Sequence, residues 1–208
     1  MRVVAIKNPK SEVERRLIHE MHRLRARIFR GRLAWTVRCT SGLEIDSFDK
    51  LSPTYILCLD RTETVIGCAR LLPAAGGTML EQVFPELLGT VKLPTHPRMI
   101  ESSRFCVDTN AAAEREQAGL HSATLAMFAG IVEWSVLNGY REIVTATDVR
   151  LERIFRRAGW PLSRLGSPAQ INETRSVAGL LTADWQSFDR LRPSIYSSSF
   201  SLHQKEAA

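Results

Sequence analysis

Glu101 stands three residues before Arg104 in the run Ile100-Glu101-Ser102-Ser103-Arg104-Phe105. A positioned carboxylate can take a proton from a nucleophile, and a guanidinium can fix an anion. Upstream, Glu44-Ile45-Asp46-Ser47-Phe48-Asp49 gathers three carboxylates within six residues. Between these segments, Gly67-Cys68-Ala69-Arg70-Leu71-Leu72-Pro73 sets Arg70 in an apolar run. Such residues suit a substrate that carries both signs of charge. Each also has an ordinary explanation: a solvated acidic loop, a strand-edge arginine, unrelated surface charges. Trp35 and Phe48 favour a site, because aromatic faces beside an acidic loop can form a pocket for a cation.

These residues need a scaffold. Glu101 and Arg104 have opposite strand parity, so a regular strand points them to opposite faces, and only a bulge brings both to one cleft. Residues 100–107, 142–147, 55–59, 65–72 and 3–6 read as strands, with one or two more in 171–181. Residues 11–30 read as a helix, with Ser11 and Glu14 as a capping box and Leu17, Met21, Leu24 and Ile28 on its buried face. Arg25 and Phe29, four apart, share a neighbouring face. Residues 114–137 and 149–158 read as further helices, stopped at Asn138-Gly139 and Gly159. Residues 31–53 show no period and read as a long loop. The order predicts one α/β (α+β) domain over 1–208, a mixed twisted sheet flanked by helices. Helix 114–137 is its βαβ crossover, and a tail from about 197 is expected to be loose.

The 208 residues include 28 Lys and Arg against 22 Asp and Glu, a net charge of +6 that favours anionic partners. No apolar run approaches the roughly 20 residues that span a bilayer. Only a four-residue apolar run precedes Lys7 at the start, so a cytoplasmic protein is expected, with no membrane partner. Cys39, Cys58, Cys68 and Cys106 form no C-x-x-C pair, and His19, His22, His96 and His121 show no diagnostic spacing, so no metal is expected. Arg150, Arg153, Arg156 and Arg157 lean to one side of a helix, either as a solvated face or as a docking patch for an acidic partner.

The order of these segments resembles the acyl-homoserine-lactone synthase (autoinducer synthase) family. That pattern has an arginine and a phenylalanine on the first long helix, then a tryptophan, E-x-D-x-x-D, G-C-x-R-L-L-P and E-x-S-R-F. The matching positions are Arg25, Phe29, Trp35, Asp46, Asp49, Arg70, Glu101 and Arg104. Thr78-Met79-Leu80, Phe84-Pro85 and Arg157-Ala158-Gly159-Trp160 add to it. The chain departs at Ile100, where members often carry tryptophan.

The resemblance implies a fold similar to the Gcn5-related N-acetyltransferases. It implies acyl transfer from a thioester to S-adenosylmethionine, then lactone closure with release of 5′-methylthioadenosine. S-adenosylmethionine is then a substrate, and no cofactor is expected. Glu101, Arg104 and Arg70 would act in catalysis. Arg25, Phe29, Trp35, Asp46 and Asp49 would hold S-adenosylmethionine. Ser103, Phe105, Thr145, Leu151 and Ile154 would line the acyl pocket, between strands 100–107 and 142–147. Glu101, directly or through a water, is the candidate base, although a carboxylate near Arg104 tends towards a low pKa. The donor is an acyl carrier protein or coenzyme A thioester. The arginine helix would dock the acidic carrier. Arg115-Glu116-Gln117-Ala118-Gly119-Leu120 lacks the glycine spacing that cradles a pyrophosphate, which leans towards the carrier.

Two other readings are weighed. An N-acetyltransferase for another amine keeps the sheet but has no need of the acidic loop with Arg70. A basic nucleic-acid-binding module fits the net charge, but neither zinc spacing nor an aromatic RNA-binding motif is present.

Overall fold

A computed structural model describes residues 1–32, 39–109 and 119–200, side chains at 31 and 32 excepted. In chain order the strands are β1 (Arg2–Ile6), β2 (Cys39–Thr40), β3 (Leu43–Glu44), β4 (Thr54–Leu59), β5 (Val65–Pro73), β6 (Met99–Val107), β7 (Glu142–Asp148), β8 (Ser163–Arg164), β9 (Ala169–Ile171) and β10 (Thr174–Thr182). The helices are α1 (Glu12–Arg25), α2 (Met79–Val83), α3 (Ser122–Leu137), α4 (Val149–Arg157) and α5 (Trp185–Leu191). The main sheet runs β1-β4-β5-β6-β7-β10-β8, with β9 on β10. Every neighbouring pair is antiparallel except β6–β7, which α3 connects. This is the mixed sheet and the crossover that the sequence predicts.

Strand alternation builds a core on each face. Val3, Ile56 and Leu71 pack with α3 through Phe128, Ala126 and Val132. Val4, Leu57 and Leu59 pack on the other face with Leu17, Met21 and Leu24 of α1. Helix α3 is apolar around most of its circumference and is buried accordingly. It approaches β1 so closely that a Cβ at Gly130 would lie 2.6 Å from Cγ1 of Val3.

The first helix starts as predicted: Ser11 Oγ accepts from Glu14 N, and the Glu14 carboxylate accepts from Ser11 N. Its last turns, Ala26–Arg32, wind as a π-helix rather than continuing as α. The region read as an unbroken loop holds the β2–β3 ribbon, turned by Ser41 and Gly42 at positive φ, and a 3₁₀ turn over Ser47–Lys50. The helix expected from 114 starts at Ser122 instead; Gly119 is left-handed (φ +66°), and residues 110–118 lie outside the described ones. The short α2 and α5 went unread. The tail is not loose at 197–200: Ser197 and Ser199 hydrogen-bond to Val3 along the β1 edge, and Phe200 is buried. No helix among the described residues is long and apolar enough to cross a membrane.

Candidate active site

The acidic loop is held by its own carboxylates. Asp46 Oδ1 accepts from Phe48 N, and Asp49 Oδ2 accepts from Asp46 N, both at 2.8 Å. The D-x-x-D spacing is therefore a reciprocal cap on the 3₁₀ turn. It leaves the remaining oxygens facing arginines. The β2–β3 ribbon brings Glu44 to the same place.

Arg25, at the end of α1, gives Nε to Glu44 Oε2 at 2.5 Å and forks its two Nη atoms onto Asp49 at 2.8 and 3.0 Å. Arg70, on β5, gives Nη1 to Asp46 Oδ1 at 2.5 Å and Asp49 Oδ1 at 2.9 Å, and Nε to Ser103 Oγ at 3.1 Å. Arg104 reaches Glu44 Oε1 at 3.1 Å and Asp46 Oδ2 at 2.7 Å. Three guanidiniums thus meet three carboxylates, and the cluster is neutral as a unit. Arg25 and Arg70 are fully buried. Burial of such charges is tolerable only because each is paired. Phe48 lies under Arg70 and Phe29 under Arg104, at 5.5 and 5.8 Å from the guanidinium carbon to the ring centre. The cation that Phe48 faces is therefore the protein's own Arg70. Trp35 lies outside the described residues.

Burial alone would raise the Asp49 pKa, but the hydrogen bonds from Arg25 and the charges of Arg25 and Arg70 outweigh it and hold the carboxylate well below its ordinary 3.8. Burial would likewise strip the proton from Arg25, yet Asp49 and Glu44 keep it firmly charged. Tyr55 donates to Asp49 Oδ1 at 2.7 Å, and its hydroxyl pKa is pushed up by burial and by the Asp49 charge. The sign for stability follows from Asp49. Its contribution is complete above the unfolded-state value near 3.8 and is lost as pH falls towards the depressed folded value. The part of the urea midpoint that Asp49 supplies should therefore hold from pH 7 to 5 and drop below about pH 4. Asp49→Asn should start lower and show a shallower acid slope; an unchanged slope would contradict the assignment.

The parity conflict between Glu101 and Arg104 is resolved by a bulge. Cys68 pairs with Cys106 and Arg70 with Ser103, so Ala69 alone opposes Arg104 and Phe105. Arg104 takes positive φ (+53°), as the extra residue of a bulge can. Glu101 and Ser103 consequently share the face of Leu72 and Arg70, and Arg104 reaches the ion cluster on it.

Glu101, 2% exposed, does not pair with Arg104. Its two oxygens accept from Met79 N and Leu80 N, each at 2.8 Å. Thr78 and Glu81 complete the cap of α2. The Glu101 pKa is raised, not lowered as expected from the neighbouring arginine. Burial outweighs the two backbone donors and the Arg70 charge, and Arg104 is spent on Glu44 and Asp46. Burial also lowers the Arg104 pKa from its ordinary value.

Strands β6 and β7 pair only from Met99–Glu142 to Glu101–Val144. Beyond this they part, and a cavity of about 500 Å³ fills the opening. Glu101, Ser103, Arg104, Phe105, Thr145 and Leu151 line it, and so does Phe29. Ile154 does not; it packs on the α3 core, while Phe155 and Trp160 form the wall instead. Ile100 also faces that core rather than the cavity, so the departure from tryptophan falls beneath the site. Arg25, Arg70, Asp46 and Asp49 are brought together, but behind the wall and not on it. Met79, which the sequence marked only as part of a likeness, stands in front of Arg70. Arg150, Arg153, Arg156 and Arg157 are all exposed on α4, while Glu152 turns to Arg164 at 2.5 and 2.7 Å.

The model of the autoinducer synthase family matches residues 9–191. A probable acyl-homoserine-lactone synthase of Sinorhizobium fredii (strain NBRC 101917 / NGR234) is 53% identical over 198 residues, 95% of each chain. The AHL synthase LasI superposes with a TM-score of 0.77 at 32% identity, over 91% of this chain and 93% of that one. TofI, solved in a ternary complex with an inhibitor and MTA, gives 0.77 at 28% identity, over 92% and 96%. A putative N-acetyltransferase from Lactobacillus plantarum shares the fold alone, at a TM-score of 0.56 and 13% identity over 88% and 100%. With the family model spanning most of its length and a relative matched almost end to end, the chain belongs to the autoinducer synthase family.

Proposed function

We infer that this chain makes an N-acyl-L-homoserine lactone, the signal of bacterial quorum sensing. It transfers an acyl group from a thioester to the amine of S-adenosylmethionine and closes the lactone. The observation that carries this is the cavity between β6 and β7. Glu101 and Arg104 stand on its wall beside the neutral ion cluster, and Leu80, Phe84, Ile131, Phe155 and Trp160 make it apolar.

In the first step the ammonium of S-adenosylmethionine passes a proton to Glu101, directly or through a water. The amine then forms a bond to the thioester carbon. A backbone N–H at the Arg104 bulge is the candidate donor to the resulting oxyanion. Collapse breaks the C–S bond, and the carrier thiol leaves with a proton. In the second step the α-carboxylate attacks the carbon bound to sulfur, the C–S⁺ bond breaks, and methylthioadenosine leaves. Proximity supplies most of that step. Arg25, Arg70, Asp46 and Asp49 fix the arginine array from behind, and Phe29 covers the bound substrate. The acyl chain lies against Ser103, Phe105, Thr145 and Leu151, and Thr145 suits an oxygen at acyl carbon three.

An acidic acyl carrier protein is the donor that the four exposed arginines of α4 favour. The enzyme then works in the cytoplasm, where both substrates are made. Reversing Arg153 and Arg157 to Glu is expected to cut kcat/KM for carrier-protein donors at least tenfold and for coenzyme A donors less than threefold, since steering acts on the encounter. Equal loss with both donors would remove the docking role. The reaction itself is tested by mass spectrometry of purified protein with S-adenosylmethionine and a panel of both thioester classes. An acyl-homoserine lactone appearing with methylthioadenosine is the expected result. An acylated amine without methylthioadenosine would make the protein a plain acyltransferase.

A further inference from the structure

Two guanidinium groups converge on one sulfur atom. Arg70 Nη2 lies 3.2 Å from Met79 Sδ, and Arg104 Nη1 lies 3.6 Å from the same atom. Every other guanidinium nitrogen of these two arginines faces a carboxylate or the Ser103 hydroxyl. Among the described residues, the two remaining nitrogens meet only this thioether. Thioether sulfur is a weak acceptor, and Arg70 is fully buried. The cluster is matched in charge, three cations to three anions, and these two guanidinium nitrogens lack a strong acceptor.

Met79 also stands between Arg70 and the cavity. It lines the cavity wall; Arg70 does not. Its backbone N–H is pinned by Glu101 Oε2 at 2.8 Å, so the main chain stays while the side chain turns. Methionine is unbranched, with three rotatable bonds and a polarizable sulfur, so it can leave one contact and make another at low cost.

We propose that Met79 is a side-chain shutter over Arg70: its sulfur holds the place that the α-carboxylate of S-adenosylmethionine takes, and its rotation hands Arg70 Nη2 and Arg104 Nη1 to that carboxylate. This rests on the S-adenosylmethionine reading above. The exchange replaces two weak sulfur contacts by charge-assisted hydrogen bonds. It also couples substrate entry to the acyl side of the cavity, because the displaced side chain turns within the cavity that Met79 and Phe84 both line. Met79 is thus a positioning residue that admits the amino-acid end of the substrate.

The test uses two substitutions of similar volume and opposite chemistry, with two ligands that differ in the carboxylate. Met79→Leu removes the acceptor; Met79→Gln supplies a strong one. Dissociation constants are measured by calorimetry for S-adenosylmethionine and for methylthioadenosine, which has no carboxylate. In Met79→Leu, S-adenosylmethionine should bind about three- to tenfold tighter relative to methylthioadenosine, because the free arginines lose their partner. In Met79→Gln it should bind about tenfold or more weaker relative to methylthioadenosine, because the amide oxygen holds both arginines. Opposite shifts in that ratio support the shutter, and a packing role would move both ligands together. A ratio unmoved within twofold in both variants, or moved the same way in both, overturns the shutter alone. Wild-type protein that binds neither ligand overturns the S-adenosylmethionine reading and the shutter with it.

Discussion

Arg70→Ala is expected to destabilise the fold by about 3–5 kcal/mol, as removal of one partner from a buried ion pair does. Arg70 is fully buried, and its Nη1 is shared between Asp46 and Asp49. Truncation to alanine leaves Asp46 with Arg104 and Asp49 with Arg25, each carboxylate short of one partner, and opens a void beneath Met79 and Phe48. For a domain of this size the loss corresponds to about 6–20 °C in melting temperature. Thermal and urea unfolding of the purified variant read this directly. Arg70→Lys keeps the charge but loses the planar fork, and should fall between the two. From sequence alone, Arg70 reads as a catalytic residue. The geometry adds that the same guanidinium is a structural member of a neutral buried cluster. A melting temperature within 2 °C of wild type would show that the cluster adds little to stability.

Glu101→Gln is expected to lower kcat/KM by about 10²–10⁴, the usual worth of a positioned general base. The fold should lose some stability, because the glutamine oxygen can accept from only one of Met79 N and Leu80 N, and its NH2 group faces the other donor. One buried backbone N–H left without an acceptor costs about 1–3 kcal/mol. The pH profile is the sharper readout. The Glu101 pKa is raised by burial, and only the ionised form accepts a proton. Wild-type kcat/KM should therefore climb with pH through that raised value and then level off. In Glu101→Gln the climb should vanish. A residual profile of the same shape would assign the base to another group. The stability linkage runs the other way from that of Asp49. A raised carboxylate pKa contributes stability in full below the ordinary 4.5, and that contribution is lost as pH rises through the folded value. The two carboxylates thus pull the optimum from opposite sides.

Much of this protein is legible in its order of residues. Short β-rich runs at 55–59, 65–72 and 142–147, bounded by polar or turn residues, specify strands. Ser11 with Glu14 sets where α1 begins, because a cap is a local bond between near neighbours. The charged segments could be recognised as one site because their types and order follow a family pattern. Tertiary structure decided the rest. Glu101 was readable as a carboxylate in a strand; that it caps α2 depends on a helix too short to show a period. The bulge at Arg104 depends on register with β5, which one strand's sequence does not carry. Whether Asp46 and Asp49 meet a ligand or an arginine depends on what lies 20 or so residues away, and there the buried guanidiniums of Arg25 and Arg70 claim them. Local bonds and β-rich runs are written along the chain. Pairing across it is settled only when desolvation forces every buried charge to find a partner.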